Sequence, residues 1–270
     1  MPERTIQSLV VAFLLAVSTS AQTTNTASGE AAVGPRANEP KARIIIEPPL
    51  AAPLSFGTAV IRYRNEHLQV VPVFGPAALA VSPRLGHVHV SVDDAAWVWA
   101  NTSGQAVILQ GLPPGRHKVV MQLMNANHQP LDEGAVDFTE PERLKAPSVG
   151  AERGAPAQPG QTEPAAKIVI GSPLAEPLSR GVIIIPYRTE HLQLVPVFGP
   201  EALALSPRVG HLHVTVDDTP WHWEDGSGNQ IIVAGLSPGP HRILIELSDA
   251  NHQVIDRGTV QVTAPGPRAD

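Results

Sequence analysis

The hydrophobic positions of this chain form short runs that are separated by turn residues. Between residues 43 and 139, β-branched and apolar residues cluster in seven segments, with proline and glycine pairs between them. About seven short strands in about 100 residues are typical of an immunoglobulin-like antiparallel sandwich. No ten-residue stretch has helical periodicity, and Pro76–Leu79 suggests one helical turn. The predicted strands are Ile44–Ile46, Val60–Tyr63, Leu68–Phe74, His87–Val92, Ala106–Leu109, Arg116–Leu123 and Gly134–Thr139.

The same pattern occurs twice. Residues 43–139 and 167–263 align without a gap at an offset of 124 and are identical at 54 of 97 positions. Solenoid units are about 20 to 50 residues long, whereas about 100 residues form a complete domain. The sequence therefore predicts an all-β chain of two tandem immunoglobulin-like antiparallel β-sandwich domains joined by a flexible linker. A linker of this length also suggests domains that move independently, without a shared site between them.

The first 21 residues are typical of a secretory signal peptide. Arg4 precedes an apolar run from Leu9 to Val17, and Thr19-Ser20-Ala21 offers a small-x-small cleavage site. We therefore expect bacterial export to the periplasm or medium, with no membrane span after cleavage. Two further segments, rich in Ala, Pro, Gly and polar residues, predict disorder. The predicted organisation is 1–21 signal peptide, 22–41 disordered leader, 42–140 first repeat, 141–166 disordered linker, 167–264 second repeat and 265–270 tail.

Composition excludes several classes of function. The net charge is −6, which gives no electrostatic basis for binding nucleic acid. The chain has no cysteine, which excludes disulfides, thiolate zinc sites, iron–sulfur clusters and blue-copper centres. No nucleophile elbow, zinc-protease motif, P-loop or dinucleotide fingerprint occurs. We therefore expect a binding protein rather than an enzyme.

All eleven histidines lie inside the two repeats, and ten of them correspond between the copies. The eleventh, His222, stands where the first repeat has Val98 and is not expected to serve a function common to both. His117 and His241 follow a proline–glycine turn, where a structural role at the corner before a strand is expected. The corresponding pairs are His67 and His191, His87 and His211, His89 and His213, His117 and His241, and His128 and His252.

The Gly-His-x-His run predicts two imidazoles on one face of a strand. Alternate residues share a face, so His87, His89 and Asp93 point one way and the valines between them form the core face. Two imidazoles about 7 Å apart on a wetter face can chelate one metal. The alternative is a polar face whose imidazoles bond loop carbonyls or stack on tryptophan. His128 follows Asn125-Ala-Asn at a predicted hairpin tip and is a candidate third ligand.

These positions make up the candidate metal site of each repeat. Imidazoles without thiolates suit Cu(II), Zn or Ni. A carboxylate near a liganding imidazole can orient it. The candidate ligands are His87, His89, His128, His211, His213 and His252, with His67 and His191 as candidate fourth ligands and with Asp93 and Asp217 as the orienting carboxylates.

Each repeat also carries a Trp-x-Trp pair, whose two side chains have the same parity and therefore share a face. Such a pair indicates either core packing or a platform on which a sugar or aromatic ligand stacks. The platform residues are Trp97 and Trp99 in the first repeat and Trp221 and Trp223 in the second.

The combined motifs carry a resemblance to a known family. Gly-His-x-His-Val-x-Val-Asp-Asp, Trp-x-Trp, Pro-Gly-x-His and Asn-His resemble a family of small exported bacterial domains of uncharacterised function. Members usually have one copy after a signal peptide, whereas this chain has two. The resemblance implies a β-sandwich and export, and it implies no established activity and no catalytic residue.

Three functions follow as hypotheses. The first is an exported protein that captures or buffers a divalent transition metal, with an affinity that falls as imidazoles protonate near pH 6. The alternative is a protein- or carbohydrate-interaction module that uses the tryptophan face and has structural histidines. The third is a metal-dependent enzyme with an open coordination position.

Overall fold

The computed structural model describes residues 40–142, 164–196, 206 and 208–266. The predicted signal peptide and most of the predicted leader, linker and tail lie outside these ranges. None of the helices in the described residues is long and apolar enough to cross a membrane.

Strands dominate both repeats, and the predicted all-β class is confirmed. The first repeat contains β1 (Arg43–Ile46), β2 (Thr58–Ile61), β3 (Tyr63–Glu66), β4 (Gln69–Val70), β5 (Leu85–Val92), β6 (Val98–Asn101), β7 (Val107–Gln110), β8 (Gly115–Asn125) and β9 (Pro130–Glu140), with the helices α1 (Ala51–Ser55) and α2 (Pro76–Val81). The second contains β10 (Lys167–Ile170), β11 (Val182–Ile185), β12 (Tyr187–Glu190), β13 (Gln193–Leu194), β14 (Val209–Val216), β15 (His222–Asp225), β16 (Ile231–Ala234), β17 (Gly239–Asp249) and β18 (Val254–Ala264), with the helix α3 (Ala175–Leu178).

Most predicted strands are present, with three differences. The predicted strand Val60–Tyr63 is divided at Arg62 between β2 and β3. The run Leu68–Phe74 contributes only the two-residue β4, because Pro72 lacks the amide hydrogen that a ladder needs. Strand β6 was not predicted, although it contains the second tryptophan of the Trp-x-Trp pair. The single helical turn predicted at Pro76–Leu79 is the short helix α2.

Each repeat is built from two packed layers. In the first repeat, β9, β8, β5 and β6 form one antiparallel layer. The β1–β3 pair packs against β8 and β9, where Ile46 lies over Gly134. Arg62 lies between β2 and β3. Strand β2 pairs with β7. The second repeat has the same arrangement, with β18, β17, β14 and β15 in the first layer.

The layers of the two repeats are joined edge to edge. Strand β6 pairs with β16, and β15 pairs with β7, so strands of both repeats form two seven-stranded sheets. One hydrophobic cluster contains residues of both repeats. The expectation that the two domains move independently is therefore wrong. The physical reason is that each repeat leaves strand edges whose backbone groups need partners, and the other repeat supplies them.

The tryptophans lie at this junction. Trp99 stacks on Trp223 with ring centroids 5.0 Å apart, and Trp97 stacks on Trp221 at 5.8 Å. Trp99, Trp221 and Trp223 are buried. Because the ring faces are covered by one another, the structure contradicts a stacking platform for a sugar and places the pairs in the core.

A glycine of each repeat permits the close approach of the two backbones. Gly111 has a φ of +81°, and a Cβ there would lie 2.5 Å from the carbonyl oxygen of Pro220. Gly235 holds the corresponding position, with the carbonyl oxygen of Ala96 at 2.7 Å. No larger residue fits at either position without moving the other repeat.

His117 closes a corner of the first repeat, as its position after the turn predicted. Its Nδ1 lies 2.7 Å from the Asp93 carboxylate, and its Nε2 lies 2.6 Å from the Pro113 carbonyl oxygen. Both ring nitrogens therefore face acceptors, which the doubly protonated imidazolium satisfies. Burial by itself lowers the pKa of His117, but the bonds to Pro113 and Asp93 outweigh it and leave the pKa raised.

The same contacts correct the role expected of Asp93 and Asp217. Strand β5 ends at Val92, and Asp93 has a φ of 53°, so the alternation of faces does not extend to it. Its carboxylate therefore binds His117 rather than His87 or His89. Asp217 binds His241 in the same way in the second repeat.

We expect the two halves to stay together when the chain is cut between residues 143 and 163. The β6–β16 and β7–β15 pairs and the stacked tryptophans do not depend on the connection. A protease site introduced there, followed by size-exclusion chromatography, should give one peak that contains both halves. Two separate peaks would contradict the shared sheets.

Matched glycine variants sharpen this prediction. Gly111→Ala adds a Cβ against the other repeat, whereas Gly115→Ala adds one at a φ of +134° with no atom of the described residues within 4 Å. Because overpacking costs about 1–3 kcal/mol beyond backbone strain, Gly111→Ala should lower the melting temperature more and release the cut halves. If the two variants lowered the melting temperature equally, close contact between Gly111 and the other repeat would be contradicted.

The corner histidines should stabilise the fold most at acid pH. Because folding raises the pKa of His117 and His241, their stabilisation is fully present below about pH 6.5, the ordinary value, and is lost as the pH rises through the raised pKa. Since Asp93 is half-exposed, we expect His117→Gln to cost about 1 kcal/mol below pH 6 and less above pH 8.

Urea unfolding at several pH values measures this difference. Asp93→Asn is the matched variant, because asparagine keeps an acceptor for the Lys118 amide and tolerates positive φ. It should remove the same pH dependence. If the free energies of unfolding of wild type and His117→Gln differed by the same amount at every pH, the protonated His117 paired with Asp93 would be contradicted.

Candidate metal centres

Strand β5 positions two histidines on one face. His87 and His89 alternate with Val88 and Val90, which are fully buried in the core. His87 is also fully buried, whereas His89 is half-buried, so the wetter face expected from the sequence is covered at His87. A Cβ on Gly86 would lie 1.9 Å from the carbonyl oxygen of Met124, and glycine is therefore required before His87.

The turn between β8 and β9 brings the third histidine to the same place. The side-chain oxygen of Asn125 accepts the amides of Asn127 and Gln129 and fixes the turn. His128 follows with a φ of 59°. Because β8 pairs with β5, with Met124 opposite His87, the turn lies beside the Gly-His-x-His strand.

Three imidazole nitrogens converge in the first repeat. His87 Nε2 lies 3.0 Å from His89 Nε2 and 3.2 Å from His128 Nδ1, and the latter two atoms are 3.3 Å apart. We call this group the first triad. It brings together the three residues that the sequence indicated as ligands in this repeat.

The second repeat reproduces the arrangement as the second triad, His211, His213 and His252. His211 Nε2 lies 2.9 Å from His213 Nε2 and 3.1 Å from His252 Nδ1. The distance between His213 Nε2 and His252 Nδ1 is 3.3 Å. In this repeat a carboxylate joins the group. Glu224 Oε1 lies 3.5 Å from His252 Nδ1, and Oε2 lies 3.8 Å from His211 Nε2.

Both triads have the geometry of a metal-binding face. Nitrogens that each lie about 2.0–2.1 Å from one tetrahedral ion are about 3.3 Å from each other. A neutral imidazole has one donor and one acceptor, so three nitrogens in mutual contact need a shared proton or a cation between them. The described residues contain two such groups of possible ligands, and these are the two triads, the second together with Glu224.

Burial keeps the triad imidazoles neutral. Burial, and then the neighbouring imidazoles, lower the pKa of His87 to about 3 and that of His89 to about 4. In the second triad the same causes lower the pKa of His211 to about 3 and that of His213 to about 2. Neutral imidazole is the form that binds a metal.

Two residues near the second triad were not predicted to be site residues, since His222 has no counterpart in the first repeat and Glu224 was not singled out. His222 stacks on His213 with ring centroids 4.2 Å apart, and burial raises the pKa of Glu224 to about 8. Both lie on β15 at alternate positions, opposite in parity to the tryptophans. The sequence did contain a signal for them, since Val98 and Ala100 of the first repeat correspond to two possible ligands in the second.

His67 and His191 lie elsewhere, although they were candidate fourth ligands. Each has a φ of 60° in a turn, and its carbonyl oxygen accepts a hydrogen bond from Arg84 or Arg208. Neither belongs to a ligand group in the described part of the chain. Their role is therefore in the turns.

Comparisons with known proteins give a family and no activity. No curated protein matches the sequence significantly. Among solved structures, fibronectin(III)-like modules of Clostridium thermocellum CbhA match with 8% identity over 78% of this chain and 86% of that chain, and the TM-score of 0.24 is too low to carry an argument. The model of a family of unknown function, DUF6130, matches twice, at residues 1–152 and 144–270. The chain therefore belongs to the family of unknown function DUF6130, whose domain it contains in two tandem copies.

Proposed function

We propose that this is an exported protein that binds a divalent transition metal at two centres, one in each repeat. The observation that carries the proposal is the convergence of three neutral imidazole nitrogens within 3.3 Å of one another in both repeats. Corresponding residues build both groups from one strand and one turn. A fold that needed only polar surface residues would not bring three uncharged imidazole nitrogens into contact around a fully buried His87 or His211.

The ligand set limits the metal. Imidazole nitrogens without thiolates suit Zn(II), Cu(II) or Ni(II), and the chain has no cysteine. Binding would stabilise the folded chain, because the unfolded chain lacks the assembled site. The proposed role is capture or buffering of the ion, and export would follow from the signal peptide hypothesised at residues 1–21.

The alternative of a tryptophan-based interaction module has less support. It requires exposed ring faces, and the described tryptophans stack on one another at the junction of the repeats. The histidines also do more than fill turns, since six of them form the two triads.

Titration of metal-free protein with Zn(II) by calorimetry tests the proposal. We expect two sites per chain, one site in His128→Asn or His252→Asn, and none of comparable affinity in the double variant. Loss of one of three ligands should weaken a centre by more than about 100-fold. Asparagine is chosen because both positions have positive φ, which it tolerates.

His67→Asn with His191→Asn is the control. It removes two histidines in the same backbone conformation but outside the triads. This double variant should keep two sites with unchanged affinity. Absence of binding by the wild type, or binding that survives the loss of both His128 and His252, would refute metal binding at the triads.

A further inference from the structure

The two triads have the same backbone but different neighbours. At four corresponding positions around them, the second centre has a polar residue where the first has an apolar one. All four differences run in the same direction, which indicates that the centres differ in chemistry. The pairs are Glu224 and Ala100, His222 and Val98, Ser248 and Met124, and Gln110 and Ala234.

Glu224 is placed to be a fourth ligand. Its side chain is only 1% exposed, and neither carboxylate oxygen has a hydrogen-bond partner among the described residues. The oxygens instead lie 3.5 Å from His252 Nδ1 and 3.8 Å from His211 Nε2. A buried carboxylate is costly without a partner, and a cation held by the triad supplies one.

The other polar neighbours also belong to the second centre. Ser248 Oγ lies 3.3 Å from His213 Nδ1, where it can hold the ring in the orientation that directs Nε2 to the ion. Gln110 comes from the first repeat, because β7 pairs with β15, and its amide lies 3.3 Å from His252 Nδ1. Because the same nitrogen belongs to the triad and has a single lone pair, Gln110 borders the second centre but does not complete its ligand set.

The first centre is more open. Ala100 stands at the position of Glu224, and no fourth ligand joins the three histidines within the described residues. His128 is exposed, whereas its counterpart His252 is half-buried. Beside His128 lies a cavity of about 460 Å³. Its walls include Phe74, Arg180, Val182, Ile184 and Ile232, so both repeats form it.

We infer that the two centres differ in coordination. The second binds its metal through the three imidazoles and Glu224, which fills a tetrahedral shell. The first binds its metal through three imidazoles alone and leaves one position for a small exogenous ligand, either water or a simple anion. The inference rests on the proposed function. With these ligand sets, the second centre is a closed structural site, and the first is a site at which an exogenous ligand exchanges.

Cobalt(II) and azide test the difference in the full chain. His252→Asn leaves only the first centre, and His128→Asn leaves only the second. Each variant is loaded with Co(II) and titrated with azide, while the visible absorption of the metal is followed. The first centre should respond at an azide concentration at least about 10-fold lower than the second, because only an open position admits the anion.

Exchange of the fourth residue provides the matched controls. Glu224→Ala, added to the protein that has only the second centre, should create a response to azide like that of the first. Ala100→Glu, added to the protein that has only the first centre, should suppress the response there. If Ala100→Glu does not fold, Glu224→Ala alone decides, since it removes atoms and adds none.

The outcomes separate this inference from the proposed function. Absence of Co(II) binding in both single-centre proteins would overturn the proposed function and the inference together. Binding in both with equal responses to azide would overturn only the difference in coordination. An unchanged response after Glu224→Ala would show that Glu224 is not a ligand and would also overturn it.

Discussion

Hydrogen bonding between edge strands of the two repeats is the interaction on which the rest of the structure depends. Strand β6 pairs with β16 and β7 with β15, so each sheet contains strands of both repeats. Without these pairs, four strand edges would present unpaired backbone groups to other chains. The same pairing buries the stacked tryptophans and brings Gln110 of the first repeat to the second triad. Two domains in sequence thus share one core.

The triads show how a rigid sheet can hold groups that disfavour one another. Three neutral imidazoles in contact gain little from each other, and burial removes the hydration of His87 and His211. The β5–β8 and β14–β17 ladders fix the positions from which they project. A site held by backbone hydrogen bonds is preformed, which would reduce the cost of binding the metal ion that we propose. At one of the positions beside the triads where the two copies differ, the second has Glu224 and the first has Ala100.

Much of the site was predictable because it depends on local rules. Alternation on a strand placed His87 and His89 on one face, and the Asn-rich turn indicated that His128 was available as a third ligand. The same rule failed for Asp93, because the strand ends one residue earlier and the backbone turns to positive φ. It also could not assign the tryptophans, since alternation gives the face of a residue but not what covers that face.

The sequence by itself determined the duplication, the all-β class, the strand faces and the corner role of His117. These follow from patterns that extend over two to ten residues along the chain. Only the tertiary structure decided that β6 and β7 pair with the other repeat, that Trp99 lies on Trp223, and that Glu224 stands beside His252. The physical reason is that the pairing of strand edges depends on which backbone groups each repeat leaves unsatisfied after folding, and no local pattern of side chains records that.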